Sequence, residues 1–295
     1  MRDNQRNLNS SQKQAVLFGS NRICSICNEP IKADDAVHFH HKTPHSFGGP
    51  TSIANSALVH AHCNQKLGNN FEELSSLKIS LRNWQKESLA KFLNKLNISN
   101  QKYIKYTLDC CPASGKTLSV LSKFYVLKKR GIVDFGIFFV PSTAIKTSWA
   151  RTAKNVFDLN ILDGITNLGL ARWQGSSPSD CDALCLTYQQ LANFPEACQM
   201  LVGNNKTLVC FDEAHHLGEN LQWGLTASDA FANKCHIISC SGTFFRADAN
   251  KIFSVDYSDS GKILTDYQYS YADGLRDKVL RQINFNFLDG TQRWQ

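Results

Sequence analysis

The chain has 295 residues, 42% of them hydrophobic and 19% charged, which excludes disorder as its main state and suits one large domain plus a small one. No apolar run is long enough for a membrane span and the N-terminus (MRDNQRNLNSSQ) is polar, so no membrane or secretory segment is readable and a cytoplasmic location is expected. The 32 Lys and Arg against 25 Asp and Glu give a net charge of +7, which suits a polyanionic partner but is too small to identify one.

In chain order, residues 1–20 read as a polar tail with a short helix over Gln12–Leu17. Residues 21–72 are rich in Cys, His, Gly and Pro and poor in large apolar side chains, so this segment needs a metal to fold. Residues 73–98 carry helical spacing (Leu77, Leu81, Trp84, Leu89, Phe92) and form a linker helix. From 99 to 250, apolar runs at 103–109, 135–140, 183–187, 206–211 and 236–241 alternate with helical stretches near 116–129, 144–157, 189–201 and 221–232. Strands separated by helices predict an α/β fold, a mainly parallel sheet covered on both faces. Residues 251–295 read as a connector with some β character.

Of the eleven cysteines, Cys110, Cys111, Cys185, Cys210 and Cys240 fall in or beside apolar runs and behave as small hydrophobes in a reducing compartment. Cys24, Cys27 and Cys63 instead sit among six of the nine histidines. Cys24-x2-Cys27 and His60-x2-Cys63 are two short chelating pairs, and structural Zn2+ is their natural occupant, with His62 competing with His60 for the fourth position.

Between the pairs lie His40-His41, Pro44, Gly48-Gly49 and Asn55, and Asn64 follows Cys63. Over about fifty residues this pattern resembles the HNH endonuclease family. The resemblance implies a zinc-pinned ββα-metal domain with His41 as general base, Asn55 orienting it, and His40 and Asn64 holding a divalent catalytic ion. An imidazole accepts a proton from water near neutral pH, and a single ion on the scissile phosphate stabilises developing charge. Many family members carry a carboxylate where His40 stands, so the ion is open between Mg2+, Mn2+ and softer metals. The plainer reading is a zinc knuckle with His38, His40, His41, His45 and His62 as surface histidines.

The run YIKYTLDCCPASGKTLSVL is a strand, a turn and a helix start. The backbone of Ala113, Ser114 and Gly115 would hold phosphate oxygens of ATP, Lys116 would reach the β/γ-phosphates, and Thr117 would bind Mg2+. This resembles a Walker A loop, with Cys110 where the first glycine would stand. TLVCFDEAHHL supplies the second half: Asp212 for Mg2+ and Glu213 to polarise the attacking water. Further segments resemble the superfamily-2 helicase set, in order: Gln85 as adenine reader, PST at 141–143 and Leu186–Gln189 as nucleic-acid contacts, and Ser241-Gly242-Thr243 coupling hydrolysis to movement.

The resemblance implies a RecA-like ATP-binding lobe fused to an HNH nuclease, acting on DNA with RNA left open. A second RecA-like lobe is expected from a missing C-terminal part or from another chain. The reading from a different class is a non-catalytic ATP- and zinc-dependent DNA-binding subunit.

Overall fold

The computed structural model describes residues 7–25, 27, 29–41, 50–67, 72–74, 77, 79–165, 181–248 and 250–283. Pro44, His45 and Gly48-Gly49 lie outside them.

Helix α1 (Ser10–Gly19) is longer than the Gln12–Leu17 expected, because Asn9 and Gln12 form a reciprocal capping box that starts it earlier. Strands β1 (Val37–His41) and β2 (Ser56–His60) form an antiparallel hairpin whose register pairs Val37 with His60 and His41 with Ser56. Helix α2 (Ala61–Leu67) follows β2 without a loop, so Cys63 and Asn64 stand in its first turn. The apolar centre here is small: Leu8, Val16, Cys24, Ile31, Leu58, Val59 and Cys63.

The larger part is built on β3 (Lys105–Cys110), β4 (Phe135–Val140), β5 (Ile161–Leu162), β6 (Ala183–Thr187), β7 (Thr207–Asp212), β8 (His236–Ser241) and, after a short β9/β10 hairpin (Asp256–Tyr257 and Ile263–Leu264), β11 (Tyr267–Tyr269). The sheet order is β11-β3-β8-β7-β4-β6-β5 and every pairing in it is parallel. Every residue of FGIFFV, TLVCFD and HIISCS is buried, as a strand covered on both faces requires. The pleat sorts the side chains: Phe138 joins Trp84, Phe92, Phe124 and Trp149 on one face, while Ile137 and Phe139 join Leu184, Phe211 and Phe231 on the other.

Helices α3 (Asn83–Ile98), α4 (Lys116–Lys129), α5 (Thr143–Thr152), α6 (Tyr188–Asn193), α7 (Pro195–Asn204) and α8 (Gln222–Phe231) supply the covering layers. The sequence predicts one helix over 189–201; two are found, since Pro195 has no N–H to donate and starts a new helix at its first position. The helix expected over 144–157 relaxes into a π-helical turn at Ala153–Phe157, ended by Asp158 with φ 53°. The stretch beyond 250 does more than connect. Its YQY run buries alternate side chains and adds β11 to the free edge of β3, where Tyr269 and Tyr267 stack on Trp84 at 4.9 and 6.3 Å.

Candidate active sites

In the small part, one donor atom from each of Cys24, Cys27, His60 and Cys63 lies within 4.8 Å of every other. Tetrahedral Zn2+ with metal–sulfur bonds near 2.3 Å wants ligand separations of about 3.5–4 Å, and His60 Nδ1 already stands 3.4 Å from Cys27 Sγ and 3.9 Å from Cys63 Sγ. Burial first, and then the neighbouring Cys27 and Cys24 thiols, push the Cys63 thiol up to about 12. A divalent cation relieves this crowding, since it binds thiolate and neutral imidazole directly. The donor set therefore fits zinc. Of the two histidines open to that role, His60 stands in the cluster, while His62 stacks on it at 5.0 Å and meets Cys63 Sγ at 3.3 Å. Asp35, which the spacing did not single out, holds His60 Nε2 at 3.4 Å and so turns Nδ1 toward the sulfurs.

On the adjoining hairpin, His40 Nδ1 and Asn64 Oδ1 are 2.8 Å apart, so strand β1 and helix α2 bring this expected ligand pair together. The Asn64 amide also donates to His38 Nδ1 at 2.9 Å. His41 Nε2 contacts Thr51 Oγ1 at 3.3 Å, and Asn55 donates to the Pro50 carbonyl at 2.8 Å, so both engage the turn that leads into β2. Burial holds His40 below the usual imidazole range against the opposing pull of its Asn64 hydrogen bond, which favours the neutral ring that a metal needs. His38 had been legible in one respect only: in VHFHH it falls two residues before His40, on the same face of a strand.

The second site lies at the carboxyl ends of β3, β7 and β8, where ligands gather in open parallel sheets. The loop after β3 turns through Ala113 (φ 61°) and Gly115 (φ 104°) before α4 starts at Lys116. The positive φ of Gly115 favours glycine, and a Cβ there would lie 2.8 Å from Gln85 Nε2 and push that side chain off the loop. Gln85 is buried, donates to the Gly115 carbonyl at 3.0 Å and accepts from the Arg82 backbone at 2.8 Å. Arg82 donates to the Ser114 carbonyl. Helix α3 thus holds the loop in shape from outside. Ser114 ties its own turn by donating to Cys111 O at 2.7 Å.

Lys116, which begins α4, forms an ion pair with Glu213, 97 residues away in sequence. Glu213 sits just past β7 with φ 58° and also accepts from Ser241 Oγ at 3.0 Å. Ser241 in turn meets His215 Nδ1 at 2.9 Å and accepts from the Thr243 backbone at 3.0 Å. Gly242 follows it against Pro112, which a Cβ would meet at 2.8 Å, so the strand end after β8 packs on the phosphate loop. Asp212 ends β7 itself, buried, and its carbonyl accepts from Tyr188 Oη at 2.7 Å. Burial opposes charge on Lys116, but Cys240, Glu213 and Asp212 outweigh it and hold the ammonium above its ordinary range. Burial pushes Asp212 up, against the pull of Lys116; Glu213, where burial works the same way, is carried down by its Lys116 hydrogen bond. An acid pair facing a lysine at a helix N-terminus has the chemistry to receive a phosphate and a metal ion. Thr117 lies in the first turn of that helix, as the loop reading requires.

The sequence matches the family described as Type III restriction enzyme, res subunit, over residues 78–246, more than half of the chain. The chain belongs to that family. Residues 24–70 match the HNH endonuclease family. This res-subunit relative therefore joins an HNH domain to the first RecA-like lobe of a superfamily-2 helicase. An uncharacterized protein of Mycobacterium leprae is 29% identical over 73% of the chain and 35% of its own length, and one of Mycobacterium tuberculosis is 30% identical over 73% and 34%. The chain spans about a third of the length of these curated relatives. A solved structure of a nuclease-deletion mutant of the Type ISP restriction-modification enzyme LlaGI, in complex with a DNA substrate mimic, superposes with a TM-score of 0.50 at 18% identity. That superposition covers 68% of this chain and 21% of the other, and establishes the shared fold. Among the described residues no helix is long and apolar enough to cross a membrane.

Proposed function

We propose that this chain couples ATP hydrolysis by a DNA-translocating lobe to DNA cleavage by its metal-dependent HNH domain, in a cytoplasmic restriction-type system. The observation that carries the motor half is the meeting of Lys116, Glu213 and Ser241, drawn from three strand ends, around the mouth of the Ala113–Thr117 loop. Bound Mg–ATP supplies the transferable phosphoryl group and a divalent charge. The backbone N–H groups of the loop and Lys116 would hold the phosphates, Thr117 and Asp212 the magnesium, and Gln85 the loop itself and the adenine edge. Glu213, kept ionised by Lys116, accepts a proton from water at its carboxylate. The two described arginines at this site, Arg82 and Arg246, are spent on the Ser114 and His215 carbonyls. The arginine that accelerates phosphoryl transfer, an effect of about a thousandfold or more, would then come from a second RecA-like lobe in a longer polypeptide or another chain.

DNA as the partner is supported by the family's restriction-enzyme description, by the DNA-bound LlaGI neighbour and by the +7 charge. In the HNH half, His41 would deprotonate the attacking water, Asn55 would fix its orientation through the turn both residues share, and His40 and Asn64 would hold the ion, while zinc on Cys24, Cys27, His60 and Cys63 fixes the frame. Plasmid nicking in Mg2+ and in Mn2+ tests this half: the wild type should nick and His41→Ala should lose at least about a hundredfold. Equal nicking by both proteins would remove His41 and the HNH site from the reaction, and nicking by neither would leave a DNA-binding subunit.

A further inference from the structure

We propose that His38 is a third ligand of the ion held by His40 and Asn64, giving a site of two imidazoles and one amide that selects a transition-metal ion over Mg2+. The proposal rests on the HNH reading for the place of the site and goes beyond it in assigning the donor set and the class of ion.

The geometry points there from both sides of the hairpin. His38 and His40 are alternate residues of β1 and share a face, as the pleat dictates. Asn64, in the first turn of α2, reaches across with its single amide group touching both rings: Oδ1 lies 2.8 Å from His40 Nδ1, and Nδ2 lies 2.9 Å from His38 Nδ1. Three side-chain heads therefore converge within the width of one amide. Since Nδ2 is a donor, His38 Nδ1 accepts from it with its ring lone pair, the electron pair that a metal–nitrogen bond would use instead.

The chemistry of the donors then decides the ion. Among the described residues no carboxylate joins His38 and His40 in a metal-sized cluster; the only such group of His, Cys, Asp or Glu is the zinc set. Asp35, the acid just before β1, is engaged by His60 and the Lys32 backbone. Mg2+ is held through carboxylates and phosphates and sheds water reluctantly, so neutral nitrogen donors offer it little. Imidazole suits the later divalent ions, with affinity rising from manganese toward nickel. An asparagine oxygen completes a set that is uncharged and nitrogen-rich.

The test uses the full chain loaded with one equivalent of zinc, titrated calorimetrically with Ni2+ and with Mg2+. Wild type should bind Ni2+ at least about a hundredfold tighter than Mg2+. His38→Ala and His38→Gln should each weaken Ni2+ at least about tenfold and leave Mg2+ unchanged, with zinc content and circular dichroism intact. Glutamine can still accept the Asn64 amide proton but replaces the imidazole, so full Ni2+ affinity in His38→Gln would make His38 an orienting residue and overturn the assignment. Pulsed electron resonance of the Cu2+-loaded protein counts imidazoles directly: two in wild type and one in either variant support the ligand role, and one in wild type refutes it. Plasmid nicking separates the two levels. Two imidazoles with no nicking in any ion keeps the metal site and removes the nuclease, while nicking with a single imidazole does the reverse.

Discussion

Glu213 holds one carboxylate oxygen against Lys116 and offers the other to Ser241, so a single side chain links the phosphate loop, the acidic turn and the end of β8. Its left-handed backbone, costing about 1–3 kcal/mol, persists because those contacts fix it. Two variants separate binding from chemistry. Lys116→Ala removes the phosphate-facing cation and should abolish binding of a fluorescent ATP analogue. Glu213→Gln keeps shape and loses the base, so binding should survive while phosphate release falls by about a hundredfold or more; equal loss of both would show Glu213 to be structural only. Asp35 acts at one remove from the zinc. Asp35→Asn should weaken zinc about 10–100-fold in a chelator competition, because the His60 ring loses the partner that aims Nδ1.

Helix α4 carries a penalty that its position explains. Lys123 is fully buried behind the phosphate loop, donating to Ser119 Oγ at 2.8 Å and lying 5.5 Å from the Tyr106 ring centre. Burial pushes its amine down to about 7, whereas in the unfolded chain it titrates near 10.4. Between those values the unfolded chain holds a proton that the folded one lacks, so stability rises with pH across this window and the full penalty stands below it. Lys123→Met should raise stability at pH 7 by about 1–3 kcal/mol and flatten the rise toward pH 10 in urea titrations. The strands bordering this helix were legible within one or two residues, because runs such as FGIFFV are apolar at every position and end in loops of recognisable chemistry. Pro195 is equally visible in the sequence, but the apolar spacing on either side of it runs on without a break, and only the fold shows that it divides the stretch into two helices. The β character of the stretch that holds β11 was legible, but its membership of the sheet was not: three residues carry too little periodicity to name a partner, and only the free edge of β3 gives them a place. Spacing marked the three cysteines and left His60 and His62 open as the fourth zinc donor, and the family resemblance implied the His40–Asn64 pair, whereas Asp35 and Arg246 act through folded contacts at ranges that spacing does not encode.

The two parts of the molecule are held by different forces, which makes their responses to metal removal separable. The sheet buries two extensive apolar layers, and the Cys/His cluster lies outside it. The small part relies on seven buried residues, two of which, Cys24 and Cys63, belong to the zinc set itself. A core of that size cannot hold a hairpin and two helices without its ion. Stripping zinc with a strong chelator should therefore unfold residues up to about 67 and spare the lobe. Limited proteolysis should then cut within the small part and leave a resistant fragment beginning near residue 79, with ATP-analogue affinity within about twofold of the untreated protein, since α3, the phosphate loop and the acidic turn all pack on the sheet. Nicking should vanish in the same sample and return when zinc is restored. If chelation instead melts the whole chain in one transition and ATP binding goes with it, the lobe depends on the zinc-pinned part for its stability, and the division of forces drawn from the two cores is wrong.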